Sequence, residues 1–410
     1  MANEVVALAQ VGAEAIDRLA ITPAQTLHAG IARRVFTHVG SAGAPTRVMH
    51  DRIAAAAYTV TRLAVFGAAG ALATGLRGAG RDVRLLSRSQ RGRFLIGALN
   101  GITGDRLAED GNDLAIEMAV RHKGKDVDCA ERDLGHAFPA ATPRLAVFLH
   151  GLAATEEWWQ RPKRDSRARA TRSFGASLRQ DTGFTPVYIR YNSGLHISEN
   201  GARLSRLLDQ LCASWPVPVD ELVLVGHSMG GLVIRSAGQA GVDAGHTWPM
   251  CTTHIVTLGS PHHGAPLAKA VHAAAWALRA LPETVAMADI LDTRSAGIRD
   301  LRLGAIHDDD WRDEHARSFA DNRRAIALLP GCRHTFITAT VTADPSHPLG
   351  YLLGDLLVRT ESASGYHRER LIPVDPASVV HVGGLTHVDL LDHPLVDGVL
   401  RDLLRTPGNG

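Results

Sequence analysis

The pentapeptide Gly226-His227-Ser228-Met229-Gly230 follows the apolar run Leu222-Val223-Leu224-Val225 and runs into Gly231-Leu232-Val233-Ile234. A buried strand, a sharp turn and a helix in immediate succession confine this part of the chain to a βα unit of a parallel sheet. Glycines on both sides of the serine allow a turn that a larger side chain would oppose, and such a turn lifts the hydroxyl above the sheet. In a chain with 40 glycines the pentapeptide alone is weak. The strand before it marks a nucleophile elbow rather than a glycine-rich loop.

A serine hydroxyl at its ordinary pKa is a poor nucleophile, so this reading requires a histidine base, a carboxylate to orient it, and donors for an oxyanion. Upstream, Leu145-Ala146-Val147-Phe148-Leu149 reads as a buried strand ending in His150-Gly151-Leu152. There the backbone N–H of Leu152, with that of Met229 after the serine, is assigned to the oxyanion hole. A base placed late in the chain suits a fold that orders its triad as serine, acid, histidine. His387 fits: it follows the strand Val379-Val380-His381-Val382 and the Gly383-Gly384 loop, ahead of a terminal helix opened by Pro394. His381 reads as a strand residue and His393 as a helix-start residue. For the acid, Asp355 is favoured over Asp344, which precedes Pro345 and suits a self-capped turn, and over Asp375.

Taken in order, Leu149-His150-Gly151-Leu152, Tyr188-Ile189-Arg190-Tyr191-Asn192, the serine elbow, Leu258-Gly259-Ser260-Pro261-His262-His263-Gly264, Asp355-Leu356-Leu357-Val358 and Thr386-His387-Val388-Asp389-Leu390-Leu391 resemble the α/β-hydrolases. Within them the chain resembles the bacterial triacylglycerol lipases and the GPI-inositol-deacylase-like esterases. The resemblance implies Ser228 as nucleophile, Asp355 as acid and His387 as base. It also implies an α/β fold with a mostly parallel, doubly wound sheet. In such lipases the acid stands in Asp-Gly-Leu-Val; here Leu356 occupies the glycine's place, which keeps Asp344 in contention.

With 45% hydrophobic and 21% charged residues, 410 residues are enough for one α/β domain and an appendage. A formal net charge of +2 excludes the strongly basic character of a dedicated nucleic-acid binder. Cys129, Cys212, Cys251 and Cys332 are widely spaced and form no metal-ligand or redox motif. No metal or organic cofactor is expected. The start Met1-Ala2-Asn3-Glu4 lacks a signal-peptide pattern, so a cytoplasmic location is the default expectation.

Three parts follow: a helical N-terminal extension over 1–113, a catalytic domain over 114–405, and within it a cap or lid over 265–330. Val5, Leu8 and Ala9 share a helix face that Ala15, Ile16 and Leu19 continue. Residues 53–76 form an alanine-rich helix whose part 63–76 carries no charge; packing against protein is favoured over contact with a membrane surface. The run 114–120 is expected as the first strand, with Lys123-Gly124-Lys125 turning into a second. Between Gly264 and Thr335 lie about 70 residues without a strand signal, more than one βα unit needs. Leu267, Val271, Ala274, Ala275, Leu278 and Leu281 form a helical stripe there, with Trp276 off it. Trp158, Trp159 and Trp276 are candidate substrate-lining residues, with core anchoring the competing reading of the first two. Residues 161–173 hold six basic side chains against one acid and read as a solvated helix face.

The expected activity is that of a serine carboxylic-ester hydrolase working through an acyl-enzyme on a small-molecule or lipid ester substrate, namely lipid-like or medium-chain acyl esters. Acyl transfer or thioester cleavage on the same triad is the alternative, and a non-catalytic scaffold a more distant one.

Overall fold

The computed structural model describes residues 4–39, 44–78, 87, 89–160, 172–265, 294–312, 323–344, 347, 354–366 and 372–405. Its helices and strands run in the order α1 (Glu4–Ile16), α2 (Thr22–Val39), α3 (Ala44–Gly78), α4 (Gln90–Glu109), β1 (Ala119–His122), β2 (Lys125–Val127), α5 (Glu131–Ala137), β3 (Arg144–Leu149), α6 (Phe174–Thr182), β4 (Thr185–Arg190), α7 (Ile197–Ala213), β5 (Glu221–His227), α8 (Met229–Ala244), β6 (Thr252–Leu258), β7 (Arg333–Thr340), β8 (Val379–Gly383) and α9 (Pro394–Leu404), with one-turn helices between.

The eight strands form one sheet in the order β2-β1-β4-β3-β5-β6-β7-β8. From β4 through β8 every pairing is parallel, while β1 runs antiparallel to both β2 and β4. Side chains on β3 and β5 alternate between two cores. Leu145, Val147, Leu149, Leu222 and Leu224 face α7 and α8, whereas Ala146, Phe148, Val223 and Val225 face α6 and α9. Burial on both faces is why these strands read as unbroken apolar runs. This is the α/β-hydrolase fold expected from the sequence. The chain turns outward after β3 and returns on its other side as β5, so the carboxyl end of β5 lies at a topological switch point, where α/β sheets bind ligands.

The expected first strand is shorter than its apolar run. Leu114 and Ile116 are buried, but pairing begins only at Ala119. The Ile116 N–H is committed to the Asn100 side-chain oxygen, 2.9 Å away, rather than to a neighbouring strand. Burial alone therefore imitated a strand.

The chain divides into two compact units. One gathers the helices before residue 97 with Arg106–Ala115; the other holds Gly97–Asp105 and the sheet with its flanking helices. The expected cap helix over 267–281, including Trp276, and most of the basic run lie outside the described residues.

Candidate active site

Ser228 sits between β5 and α8 with φ +52° and ψ −123°, a left-handed conformation costly for a residue with a side chain. The surrounding packing enforces it. A Cβ on Gly226 would lie 2.5 Å from the Gly231 nitrogen, and one on Gly230 would lie 2.6 Å from the His150 carbonyl oxygen. Both glycines of the pentapeptide are thus required by close approach. The turn is pinned by Ser228 N–H donating to Leu258 O at 2.8 Å and Gly231 N–H to Ser228 O at 3.1 Å.

Beside the elbow, His387 Nδ1 bonds Asp355 Oδ2 at 2.7 Å, and both residues are almost completely buried. The other carboxylate oxygen of Asp355 accepts the N–H groups of Leu357 and Val358, at 3.0 and 2.8 Å, which fixes the carboxylate plane. The His387 N–H donates back to Asp355 O at 2.9 Å. Gly259, at φ +58°, makes room for the pair: a Cβ there would come within 3.0 Å of Asp355 Oδ2 and 3.1 Å of His387 Nδ1. Because Leu258 receives the Ser228 amide and Gly259 borders the His–Asp pair, the end of β6 and the residue after it hold the elbow and the pair together.

Asp344 is exposed on the loop after β7, and Asp375 caps its own turn by accepting from Ala377 N–H at 2.9 Å. Leu356 explains the departure from Asp-Gly-Leu-Val. It adopts φ +85°, the region a glycine enters freely, with its side chain 59% exposed. The turn geometry is retained with a leucine under backbone strain. His381 bonds Thr338 and Thr340 within the sheet, and His393 Nδ1 caps α9 by accepting from Leu395 N–H.

The loop 150–152 crosses directly over the serine, since a Cβ on Gly151 would lie 3.0 Å from Ser228 Cβ. Met229 is the first residue of α8, so its N–H belongs to the first turn, where a helix has no acceptor of its own. His150 donates from Nδ1 to Gly151 O, its Nε2 accepts from Tyr191 N–H, and its ring stacks on Tyr191 at 4.3 Å. Burial lowers its pKa to about 4, which keeps this ring neutral.

Residues that sequence reasoning missed support this loop. Ala153, at φ +58°, donates its N–H to Ser193 Oγ at 3.0 Å. Gly97, Gly101 and Gly104 of α4 pack against it and its neighbour: added Cβ atoms would meet Thr155 Cγ2 at 2.8 Å, Ala153 Cα at 2.7 Å and the Asn192 side-chain oxygen. Asn192 Nδ2 donates to Gly104 O and Ser295 Oγ to Gly101 O, at 2.8 and 2.6 Å. The one available signal was the spacing 97, 101, 104, which puts three glycines on one helix face. His227 was also missed. Its Nε2 donates to His387 O at 3.0 Å, its ring lies 4.7 Å from that of His387, and burial, then the His387 charge, lowers its pKa well below the usual histidine value.

Trp159 is fully buried against Phe148, Phe174 and His227. Among the described residues its place is in the core between the sheet and α6, the packing that the core-anchor reading expects. Trp158 is partly exposed beside it.

Residues 198–326 match the family model described as PGAP1-like alpha/beta domain. Among solved structures the chain is similar to the mature form of the Bacillus licheniformis lipase BlEst2, with 19% identity, covering 71% of this chain and 98% of that one at a TM-score of 0.44. For Aspergillus fumigatus lipase B the values are 12%, 68%, 58% and 0.39. For the ester-hydrolase EH1AB1 from the metagenome of Lake Arreo they are 14%, 81%, 94% and 0.38. No curated protein matches the chain.

Proposed function

We propose that the chain is a serine carboxylic-ester hydrolase of the esterase and lipase type, working through an acyl-enzyme. The observation that carries this reading is the buried Asp355–His387 pair at 2.7 Å, joined through Gly259 and His227 to the strained elbow of Ser228. In this reading Ser228 Oγ attacks the ester carbonyl carbon while His387 Nε2 takes the hydroxyl proton. The Leu152 and Met229 amides stabilise the oxyanion. His387 then returns the proton to the departing alkoxide, and the acyl group stays on Ser228. Water, deprotonated by His387, repeats the attack, releasing the carboxylic acid and the free serine. Asp355 holds the ring with Nδ1 protonated, so that Nε2 faces the reaction, and offsets the imidazolium charge.

The substrate class we propose is an ester with a medium or long apolar acyl chain. Support comes from the long insertion between β6 and β7 and, in its sequence, the apolar residues at helical spacing over 267–281. Para-nitrophenyl esters from acetate to decanoate test it. Each buried methylene contributes ~0.8 kcal/mol, about fourfold in kcat/KM per carbon until the pocket is filled. A flat profile refutes the acyl pocket, and turnover by Ser228→Ala refutes the nucleophile. Acyl transfer and thioester cleavage would pass through the same acyl-enzyme and differ only in leaving group or acceptor.

A further inference from the structure

In the N-terminal unit, polarity is arranged opposite to that of a water-soluble helical bundle. Along α3, His50, Ala54, Tyr58, Arg62, Val65 and Ala69 are partly covered and fall on one stripe. The polar groups of that stripe turn toward α1, α2 and the turn joining them. Arg62 Nε pairs with Asp17 Oδ1 at 2.7 Å and its Nη2 donates to Thr22 Oγ1 at 3.1 Å. The His28 and His50 Nε2 atoms are 3.2 Å apart, and Tyr58 Oη lies 3.4 Å from His28 Nδ1. The remaining surface of the helix is exposed; apart from Arg47, Asp51 and Arg52 near the helix start it carries Val48, Met49, Ile53, Val60, Leu63 and Phe66. In water that surface is where a helix places its charges.

The apolar window Thr46–Ala71 is 26 residues long, none of it buried. At 1.5 Å per residue it extends ~39 Å, enough to cross a hydrocarbon core of ~30 Å. Arg62 is the single charged residue between 53 and 76, and it is neutralised on the inward side, as charges in membrane helices are. Immediately after, residues 77–93 contain six arginines against one acid, a complement to anionic headgroups.

We propose that α3 is embedded in a lipid bilayer, its outward apolar face in contact with acyl chains. The bilayer, rather than a second copy of the chain, is the occupant because the exposed surface surrounds most of the helix and matches a bilayer in length. A dimer contact covers one stripe and leaves the rest in water. This inference does not depend on the ester-hydrolase reading.

The test is flotation of the full-length chain with vesicles of phosphatidylcholine and phosphatidylglycerol, followed by an alkaline carbonate wash that strips proteins held by charge alone. The chain should float and remain bound after the wash. Leu63→Lys combined with Phe66→Lys, both on the outward face, should lower the bound fraction about tenfold or more with an unchanged far-ultraviolet circular dichroism spectrum. Asp17→Asn should also reduce binding by leaving Arg62 unpaired, whereas Glu14→Gln, whose partner Arg18 is exposed, should not. A wild-type chain that stays at the bottom of the gradient, including one that dimerises there, overturns the proposal. So does a double-lysine variant that floats as well as wild type.

Discussion

Gly101→Ala tests whether α4 positions the loop 150–153, which carries the proposed oxyanion donor Leu152. The new Cβ would lie 2.7 Å from both Ala153 Cα and Cβ and 2.8 Å from Ala153 N, with no flexible side-chain end available to yield. Ordinary carbon contacts need about 3.5–4.0 Å, so one partner must retreat by about 1 Å. The helix side is the better anchored, through Asn100 to Ile116 N–H, Ser295 to Gly101 O, Asn192 to Gly104 O and Asp105 to Ala296 N–H. Ala153 itself is held by its N–H bond to Ser193 and already adopts a strained φ. The loop therefore moves and takes the adjoining Leu152 amide with it. Overpacking should cost about 1–3 kcal/mol of stability, less the helix-propensity gain of alanine. A 1 Å displacement of an oxyanion donor should lower kcat about 10²-fold with a much smaller change in KM. Gly398→Ala in α9, where the added Cβ meets nothing within 4 Å, is the control and should leave kcat unchanged. Steady-state hydrolysis of a para-nitrophenyl ester by folded Gly101→Ala at a kcat within twofold of wild type would refute the reasoning.

Asp355→Asn should lower kcat by about 10⁴ through loss of the correct tautomer and of imidazolium stabilisation, while Asp344→Asn should leave it near wild type; the reverse pattern moves the acid to Asp344. Leu356→Gly should raise stability by up to about 1 kcal/mol in urea unfolding, because relief at φ +85° exceeds the extra freedom of glycine in the unfolded chain and the exposed side chain loses little burial; destabilisation contradicts that accounting. His150, with a native pKa of about 4 against ~6.5 unfolded, contributes stability fully present above pH ~6.5 and lost as pH falls toward 4. The unfolded chain binds the extra proton in that window, so the loss amounts to about 3 kcal/mol, and His150→Gln should flatten the unfolding profile there.

The strands around the elbow were legible because burial on both faces leaves long apolar runs, and the position of His387 followed from the order of elements around them. The acid was ambiguous for a local reason: the glycine that usually marks the turn after it is Leu356, and only backbone coordinates reveal a leucine in a glycine's conformation. Asp355, rather than Asp344, is the carboxylate against His387. The 114–118 segment misled because its apolar residues are buried while a backbone donor goes to Asn100, a long-range pairing with no sequence signature. The three glycines of α4 were overlooked for a related reason. A glycine in a helix states that something approaches closely, but not what, and the approaching groups here lie 52 to 88 residues away. Trp159 was half-legible, since the pattern of a buried tryptophan is the same under a pocket as within a core.

The central claim, that Ser228 carries the acyl group, is met most directly by trapping it. A para-nitrophenyl alkylphosphonate replaces its nitrophenolate with the attacking serine oxygen and leaves a stable phosphonyl ester. Peptide mass spectrometry should find one phosphonyl group, on Ser228, formed in step with loss of ester cleavage, and Ser228→Ala should be neither labelled nor active. Ester cleavage that persists in the folded Ser228→Ala protein, or a label that accompanies inactivation at another residue, would contradict the account.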